Sequence, residues 1–211
     1  AKAVMAKFIQ DRPDDRIGIV IFGSQAFTQA PLTLDHNVLV RFLAQIRTKM
    51  VGPATAIGDA VATSVKRLKD LKGKSKIAIL LTDGENSAGR IEPLPAASAA
   101  AALGVKVYTV GIGNDGPIPV LERGRMVRRV FPINETVLKE IAAKTGARYF
   151  RAKNTEALEG VYETIDKLEK TEVKVRSFTK SDEKFASFVW PALAFLIFEI
   201  LLGISRFRRV P

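Results

Sequence analysis

The chain has 211 residues, 47% of them hydrophobic and 26% charged, with 33 Lys and Arg against 22 Asp and Glu. That length suits one α/β domain plus an appendage, and the formal net charge of +11 raises nucleic acid or an anionic membrane surface as partners. The absence of cysteine and the single histidine exclude disulfides, thiolate metal sites, a cysteine nucleophile and a multi-histidine metal centre.

Residues 1–10 read as a short amphipathic helix with Val4, Met5, Phe8 and Ile9 on one side, followed by a polar turn over 11–15. The apolar run 17–22 suits a buried strand. Residues 26–32 suit an edge strand, because Pro31 cannot donate to a central ladder. So short a link between them makes the pair antiparallel. Asp35 is placed to cap a helix reaching about residue 49, with Val38, Leu39, Phe42, Leu43 and Ile46 inward and His36 exposed in its first turn. After the Gly52-Pro53 break a helix is expected over about 56–71. Thr55 sits at its N-terminus, as a plain cap or as a site residue. Lys66, Arg67, Lys69, Lys72, Lys74 and Lys76 make its far end basic.

Residues 77–81 form an unbroken apolar run, the pattern of a strand covered on both faces of a parallel sheet. The run stops at Thr82-Asp83-Gly84. In open α/β sheets ligands bind beyond the carboxyl ends of strands, so Asp83 is a candidate site residue. An Ala-rich helix over 93–103, ended by Gly104, and a strand over 105–110 come next. Gly111-Ile112-Gly113-Asn114-Asp115-Gly116 spells the dinucleotide fingerprint, but Pro117 and Pro119 prevent the helix that the fingerprint needs, so it reads as a turn. Residues 119–130 read as a β-hairpin turning near Arg123-Gly124. Residues 134–144 read as a helix capped by Asn134, 147–151 as a strand, and 154–170 as a helix with Leu158, Val161, Ile165 and Leu168 inward.

A charged, extended connector is expected over 172–184. Residues 185–204 then have the length and apolarity of a transmembrane helix, with Glu199 as the one charge and Trp190 near the start. Arg206, Arg208 and Arg209 come next, which favours a cytoplasmic C-terminus and puts the globular part on the other side, although Lys180 and Lys184 reduce the asymmetry.

The segments 14–22, Thr55-Ala56-Ile57-Gly58-Asp59-Ala60, Leu80-Leu81-Thr82-Asp83-Gly84 and 107–113, taken in this order, resemble a von Willebrand factor type A (vWA) domain. With residues 27–33 and the C-terminal apolar helix, the chain is similar to the BatA/BatB group of membrane-anchored bacterial vWA proteins of aerotolerance-type operons. The resemblance implies a doubly wound, Rossmann-like, mostly parallel α/β sheet flanked by helices, in the strand order 3-2-1-4-5-6. It also implies a metal-ion-dependent adhesion site (MIDAS). In that site Thr55 and Asp83 would ligate Mg²⁺, with Mn²⁺ or Ca²⁺ as substitutes, beside a D-x-S-x-S loop. The 211 residues contain no D-x-S-x-S.

The expected division is therefore a vWA domain over 1–170 without its first strand and first loop, a connector over 171–184, a transmembrane helix over 185–204 and a basic tail over 205–211. The 211 residues are expected to be a piece of a longer product and to bind Mg²⁺ weakly or not at all. The implied partners are a protein offering an Asp or Glu carboxylate, other vWA membrane proteins and a MoxR-type AAA ATPase. The implied setting is the bacterial inner membrane, in stress tolerance, with the globular part periplasmic. No enzyme activity and no nucleic acid are implied. Two other readings stand beside this one: a metal-assisted hydrolase using Asp83 and Glu85, and an anion or nucleic-acid binder suggested by the +11 charge.

Overall fold

The structure, a computed structural model, describes residues 1–71, 75–83, 85–113, 118–122, 125–129, 135–177 and 185–204. In chain order the elements are α1 (Lys2–Gln10), β1 (Ile17–Phe22), β2 (Ala26–Thr33), α2 (His36–Gln45), α3 (Ile57–Leu68), β3 (Lys76–Thr82), α4 (Pro93–Ala102), β4 (Val105–Ile112), β5 (Ile118–Glu122), β6 (Arg125–Arg129), α5 (Glu135–Lys144), β7 (Tyr149–Ala152), α6 (Thr155–Ser177) and α7 (Phe185–Ile204). The chain divides into two compact units, Ala1–Val173 and Lys174–Pro211.

Strands β3, β4 and β7 form a parallel sheet in that order. Their side chains alternate between two cores, as the two-residue period of a strand requires. On one face Ala78, Leu80, Val105 and Val107 pack against α3, α4 and α5 through Ile57, Val61, Ala97, Leu138 and Ile141. On the other face Ile77, Ile79, Tyr108 and Val110 meet α1 and α6 through Val4, Leu158, Val161 and Ile165. Helices on both faces are the doubly wound arrangement that an apolar parallel sheet needs.

Strands β1 and β2 pair antiparallel, as the short link dictates. Phe22, Ala26 and Leu32 from this pair join the same core as α3, so α3 packs across both sheets. Among the described residues β1 and β3 share no ladder. This differs from the single continuous sheet of the expected 3-2-1-4-5-6 order. Ile77, Ala78, Ile79 and Leu81 are accordingly only half-buried although the run is unbroken. A strand bonded on one side keeps part of its surface open.

Several boundaries move. Helix α2 stops at Gln45 rather than near 49, because Ile46 is extended and Lys49 takes a positive φ of 62° as the chain turns towards Gly52. Helix α3 spans Ile57–Leu68, shorter at both ends than the expected 56–71. His36 is half-buried rather than exposed, its Nε2 lying 3.0 Å from the Asp15 carbonyl oxygen. The connector expected to be extended from 172 is helical to Ser177, because nothing between Lys170 and Ser177 breaks a helix. Asn154, not a residue within the helix, caps α6, its Oδ1 accepting from Ala157 N at 2.8 Å. The Asn134 cap expected for α5 lies outside the described residues, as does the hairpin turn at Arg123-Gly124. Of the fingerprint-like segment, Gly111 and Ile112 belong to β4, and 114–117 lie outside the described residues.

Helix α7 covers the 20 residues of the expected membrane span. Its described side chains run from Val189 to Leu201 and are exposed, Trp190 at 70% and Phe195 at 77%. Among the described residues no helix is long and apolar enough to cross a membrane.

Candidate metal-site loops

Three loops meet at the carboxyl ends of β1 and β3. The first, 23–25, follows β1. Ser24 N donates to the Val51 carbonyl oxygen at 2.8 Å, and Ala56 N donates to the Gly23 carbonyl oxygen at 2.7 Å. The second loop, 51–56, turns at Gly52, whose φ of 94° is open to glycine at little cost. A side chain at Gly23 would strike the Val51 and Gly52 carbonyls at 2.8 and 2.7 Å, so the two loops touch backbone to backbone. The third loop runs from Asp83 to Ile91 after β3.

Thr55 belongs to the second loop and Asp83 starts the third. Thr55 N donates to Ser87 Oγ at 3.1 Å, and the Thr55 carbonyl oxygen accepts from Ser87 N at 2.9 Å and from Ala88 N at 3.2 Å. Ser87 is four residues past Asp83, so both candidate residues lie on one rim of the fold. Thr55 is not the helix cap: the cap position is Ala56, and Asn86 Oδ1 accepts from Ile57 N at 2.9 Å in its place. The Thr55 hydroxyl is therefore spared, and among the described residues it makes no hydrogen bond. Asp83 is exposed, with no hydrogen bond or ion pair among the described residues.

Asp59 and Asn86, which could be imagined reaching an ion through water, are occupied otherwise. Asp59 Oδ1 accepts from Arg90 N at 3.0 Å and Ile91 N at 2.9 Å, and thereby pins the end of the third loop to α3. Asn86, Ser87 and Asp59 are bracing residues that the sequence did not single out as such. The signal for two of them was present: polar side chains just after a strand-Asp-Gly turn readily bond nearby backbone groups. The third-loop Glu85 is exposed.

Arg151 is a further charged group of the rim among the described residues. Thr82, Gly111 and Arg151 share a line across β3, β4 and β7. Arg151 lies 3.5 Å from Glu135, which also pairs with Lys139 at 2.9 Å. The Lys139 hydrogen bond, foremost, holds the Glu135 carboxyl below the usual carboxylate range. Glu135 thus offsets one of the two positive charges that Arg151 and Lys139 bring.

Two hard oxygens, a hydroxyl and a carboxylate, suit Mg²⁺, which prefers oxygen ligands and keeps several waters. No cluster of three or more His, Cys, Asp or Glu side chains that could hold a metal occurs among the described residues. By chemistry the two donors are of the kind that Mg²⁺ takes, and they number fewer than its octahedral shell needs.

The family described as von Willebrand factor type A domain matches residues 1–164. The chain is 25% identical over 202 residues to an uncharacterized protein of Borreliella burgdorferi, covering 93% of this chain and 59% of that one. It thus spans about three-fifths of the length of that curated relative. Among solved structures it is similar to BatB from Bacteroides thetaiotaomicron, at 30% identity and a TM-score of 0.68 over 80% of this chain and 86% of that one. It is also similar to an aerotolerance-related membrane protein from Bacteroides fragilis, at 27% identity and a TM-score of 0.64 over 77% and 84% of the two chains. A proximal thread matrix protein of the mussel byssus, solved with a zinc-occupied MIDAS motif, shares the fold at 22% identity and a TM-score of 0.62, over 80% of this chain and 39% of that one.

Proposed function

The chain belongs to the von Willebrand factor type A domain family, and from that premise we propose that it is a membrane-anchored, metal-dependent protein-interaction module of the BatA/BatB kind. The observation that carries the reading is the set of hydrogen bonds between Thr55 and Ser87, which holds a loop with a free hydroxyl against the loop that starts at Asp83. Thr55 and Asp83 are the residues that would hold Mg²⁺, with Mn²⁺ or Ca²⁺ as substitutes. The ion, when bound, supplies an electrophilic centre that a partner's Asp or Glu carboxylate ligates. Thr55 and Asp83 position it, and the braced loops keep both donors in place. No proton has to move, so the reading assigns no catalytic residue.

The division into a vWA domain over 1–170, a connector over 171–184, a membrane helix over 185–204 and a tail over 205–211 is part of the proposal. Among the described residues β1 and β3 share no ladder, which supports one further strand between them whose following loop would carry the D-x-S-x-S ligands. For the anchor, the sequence of 185–204 has Glu199 as its one charge, and three arginines succeed it at 206, 208 and 209. A bacterial inner-membrane location with a periplasmic domain, other vWA proteins and a MoxR-type ATPase as partners, and a role in stress tolerance all come with the Bat likeness.

Calorimetric titration of Mg²⁺ into the full-length gene product tests the site. Thr55→Ala and Asp83→Ala should each weaken binding at least about tenfold, and the 211 residues by themselves should bind weakly. Equal affinity in Asp83→Ala and the parent sinks the reading. Retention of the protein in membranes after an alkaline carbonate wash, lost when 185–204 is deleted, tests the anchor.

A further inference from the structure

Beside the Thr55 loop lies an open cleft of about 580 Å³, lined in part by Ser24, Gln25, Asp59, Thr63, Lys66 and Arg90. It is contiguous with the metal-site loops. Ser24 Oγ accepts from Ala54 N at 3.3 Å, one residue before Thr55. Gly89, also in the lining, comes so near α3 that a Cβ there would sit 3.1 Å from the Ala56 Cβ. The floor is the outward face of α3, with Asp59, Ala62, Thr63 and Lys66 at helical spacing.

Its charges are unequal. Asp59 is the one acid of the lining, and backbone N–H groups of Arg90 and Ile91 already engage its carboxylate. Lys66 and Arg90 are exposed, and neither side chain has a hydrogen bond or ion pair among the described residues. Arg67, next to Lys66, is by contrast held by Thr28 Oγ1 at 2.9 Å. Two unused cations beside a cleft of ligand-binding size favour an anionic occupant.

We infer that the cleft receives a second acidic residue of the same partner whose first carboxylate goes to the metal loops; the inference rests on the metal-dependent reading of Thr55 and Asp83. The occupant is an extended, acidic protein segment. Lys66 is nine residues beyond Ile57, about 14 Å along α3 at 1.5 Å per residue. An extended chain rises about 3.3 Å per residue, so the two acidic side chains stand about four residues apart. The metal loops alone would accept any exposed carboxylate. The cleft adds the requirement for a second one at a set spacing, and so confers selectivity between partners.

The test uses two fluorescein-labelled peptides, one with two glutamates four residues apart on a Pro-Ser spacer and one with a single glutamate, titrated against the full-length protein in detergent with and without Mg²⁺. The two-glutamate peptide should bind more tightly than the single. Lys66→Gln with Arg90→Gln should weaken it about tenfold, the scale of one charge-assisted hydrogen bond lost from a partly exposed site, and should leave the single-glutamate peptide unchanged. The charge-matched Lys7→Gln with Lys144→Gln should change neither. The inference is overturned if the two peptides bind alike, if the control pair weakens binding as much as the cleft pair, or if the two-glutamate peptide shows no binding at millimolar concentration. Mg²⁺ removal and Asp83→Ala read the other half: a cleft effect that persists while Mg²⁺ makes no difference removes the metal reading and keeps the cleft. Binding to phosphatidylglycerol vesicles that depends on Lys66 and Arg90, without any peptide preference, reassigns the cleft to lipid and overturns the inference.

Discussion

Asn86 Oδ1 accepts a hydrogen bond from the Ile57 backbone N at 2.9 Å, so the loop after β3 caps the helix that comes after the Thr55 loop. A helix start has orphan N–H groups, and the local cap residue, Ala56, has no side-chain acceptor for them. Asn86→Ala should cost about 1 kcal/mol, the usual value of a lost cap, and lower the melting temperature accordingly. Asn86→Asp keeps the acceptor and adds a charge that the helix N-terminus favours, so it should melt at or above the parent. A melting temperature for Asn86→Ala equal to the parent's shows the cap to be idle.

Gly58 touches the third loop more closely still. A Cβ on it would lie 1.9 Å from the Ile91 carbonyl oxygen, which is backbone and cannot swing aside. Gly58→Ala should therefore cost about 3 kcal/mol or more, through overpacking, despite the better helix propensity of Ala. Gly160 in α6 has nothing within 4 Å of the same ideal position. Gly160→Ala should gain about 0.5–1 kcal/mol. Urea midpoints that shift in the same direction for both variants refute the contact at Ile91.

Glu169 is 4% exposed and receives three donors: Tyr108 O–H at 2.6 Å, Ser75 O–H at 2.9 Å and Lys106 Nζ at 3.3 Å. It ties α6 to β4 and to the start of β3. Glu169→Leu should cost about 3–5 kcal/mol, because it removes the anion of a buried charged pair and leaves the other charge behind. Combined with Tyr108→Phe the loss should fall short of the sum of the two single losses, since both act on one network. Additive losses in chemical denaturation argue against that network.

Burial pushes the Tyr162 hydroxyl well above its ordinary pKa of 10.0. Its ring packs on Phe8 with centroids 4.4 Å apart, and the hydroxyl makes no hydrogen bond among the described residues. Below pH 10 the group is neutral folded and unfolded, and its titration adds no pH dependence. Above pH 10 the unfolded chain releases the proton and the folded chain does not, so stability falls as pH rises. Tyr162→Phe should melt like the parent at pH 7 and lose less stability between pH 10 and 11. Identical alkaline slopes for the two proteins exclude this group as a source.

The periodicities of the chain by themselves determined most of the architecture. Apolar runs at 17–22 and 77–81 became strands, β5 and β6 paired antiparallel within the stretch where a hairpin over 119–130 was expected, and glycines 104 and 146 ended their helices with φ near 70°. These are local effects, because side-chain period and backbone sterics act within a few residues. The helix over 171–177 departs from the extended connector expected there, because charged residues favour solvated helix and solvated coil almost equally and composition alone does not separate the two. Thr55 could be read as a cap or as a ligand, and sequence alone left both open.

The fold decided the capping half of that question, in an indirect way. Asn86, from a loop 29 residues away from Ile57 in sequence, supplies the acceptor that the cap residue Ala56 lacks, and among the described residues the Thr55 hydroxyl makes no hydrogen bond. Nor could spacing reveal that Ser87 joins the loops, or that Lys66 and Arg90 flank one cleft while Arg67 is bonded elsewhere. Such relations depend on which backbone groups happen to lack partners once distant loops are brought together. A local sequence carries the donors and acceptors, and only the packed chain decides how they pair.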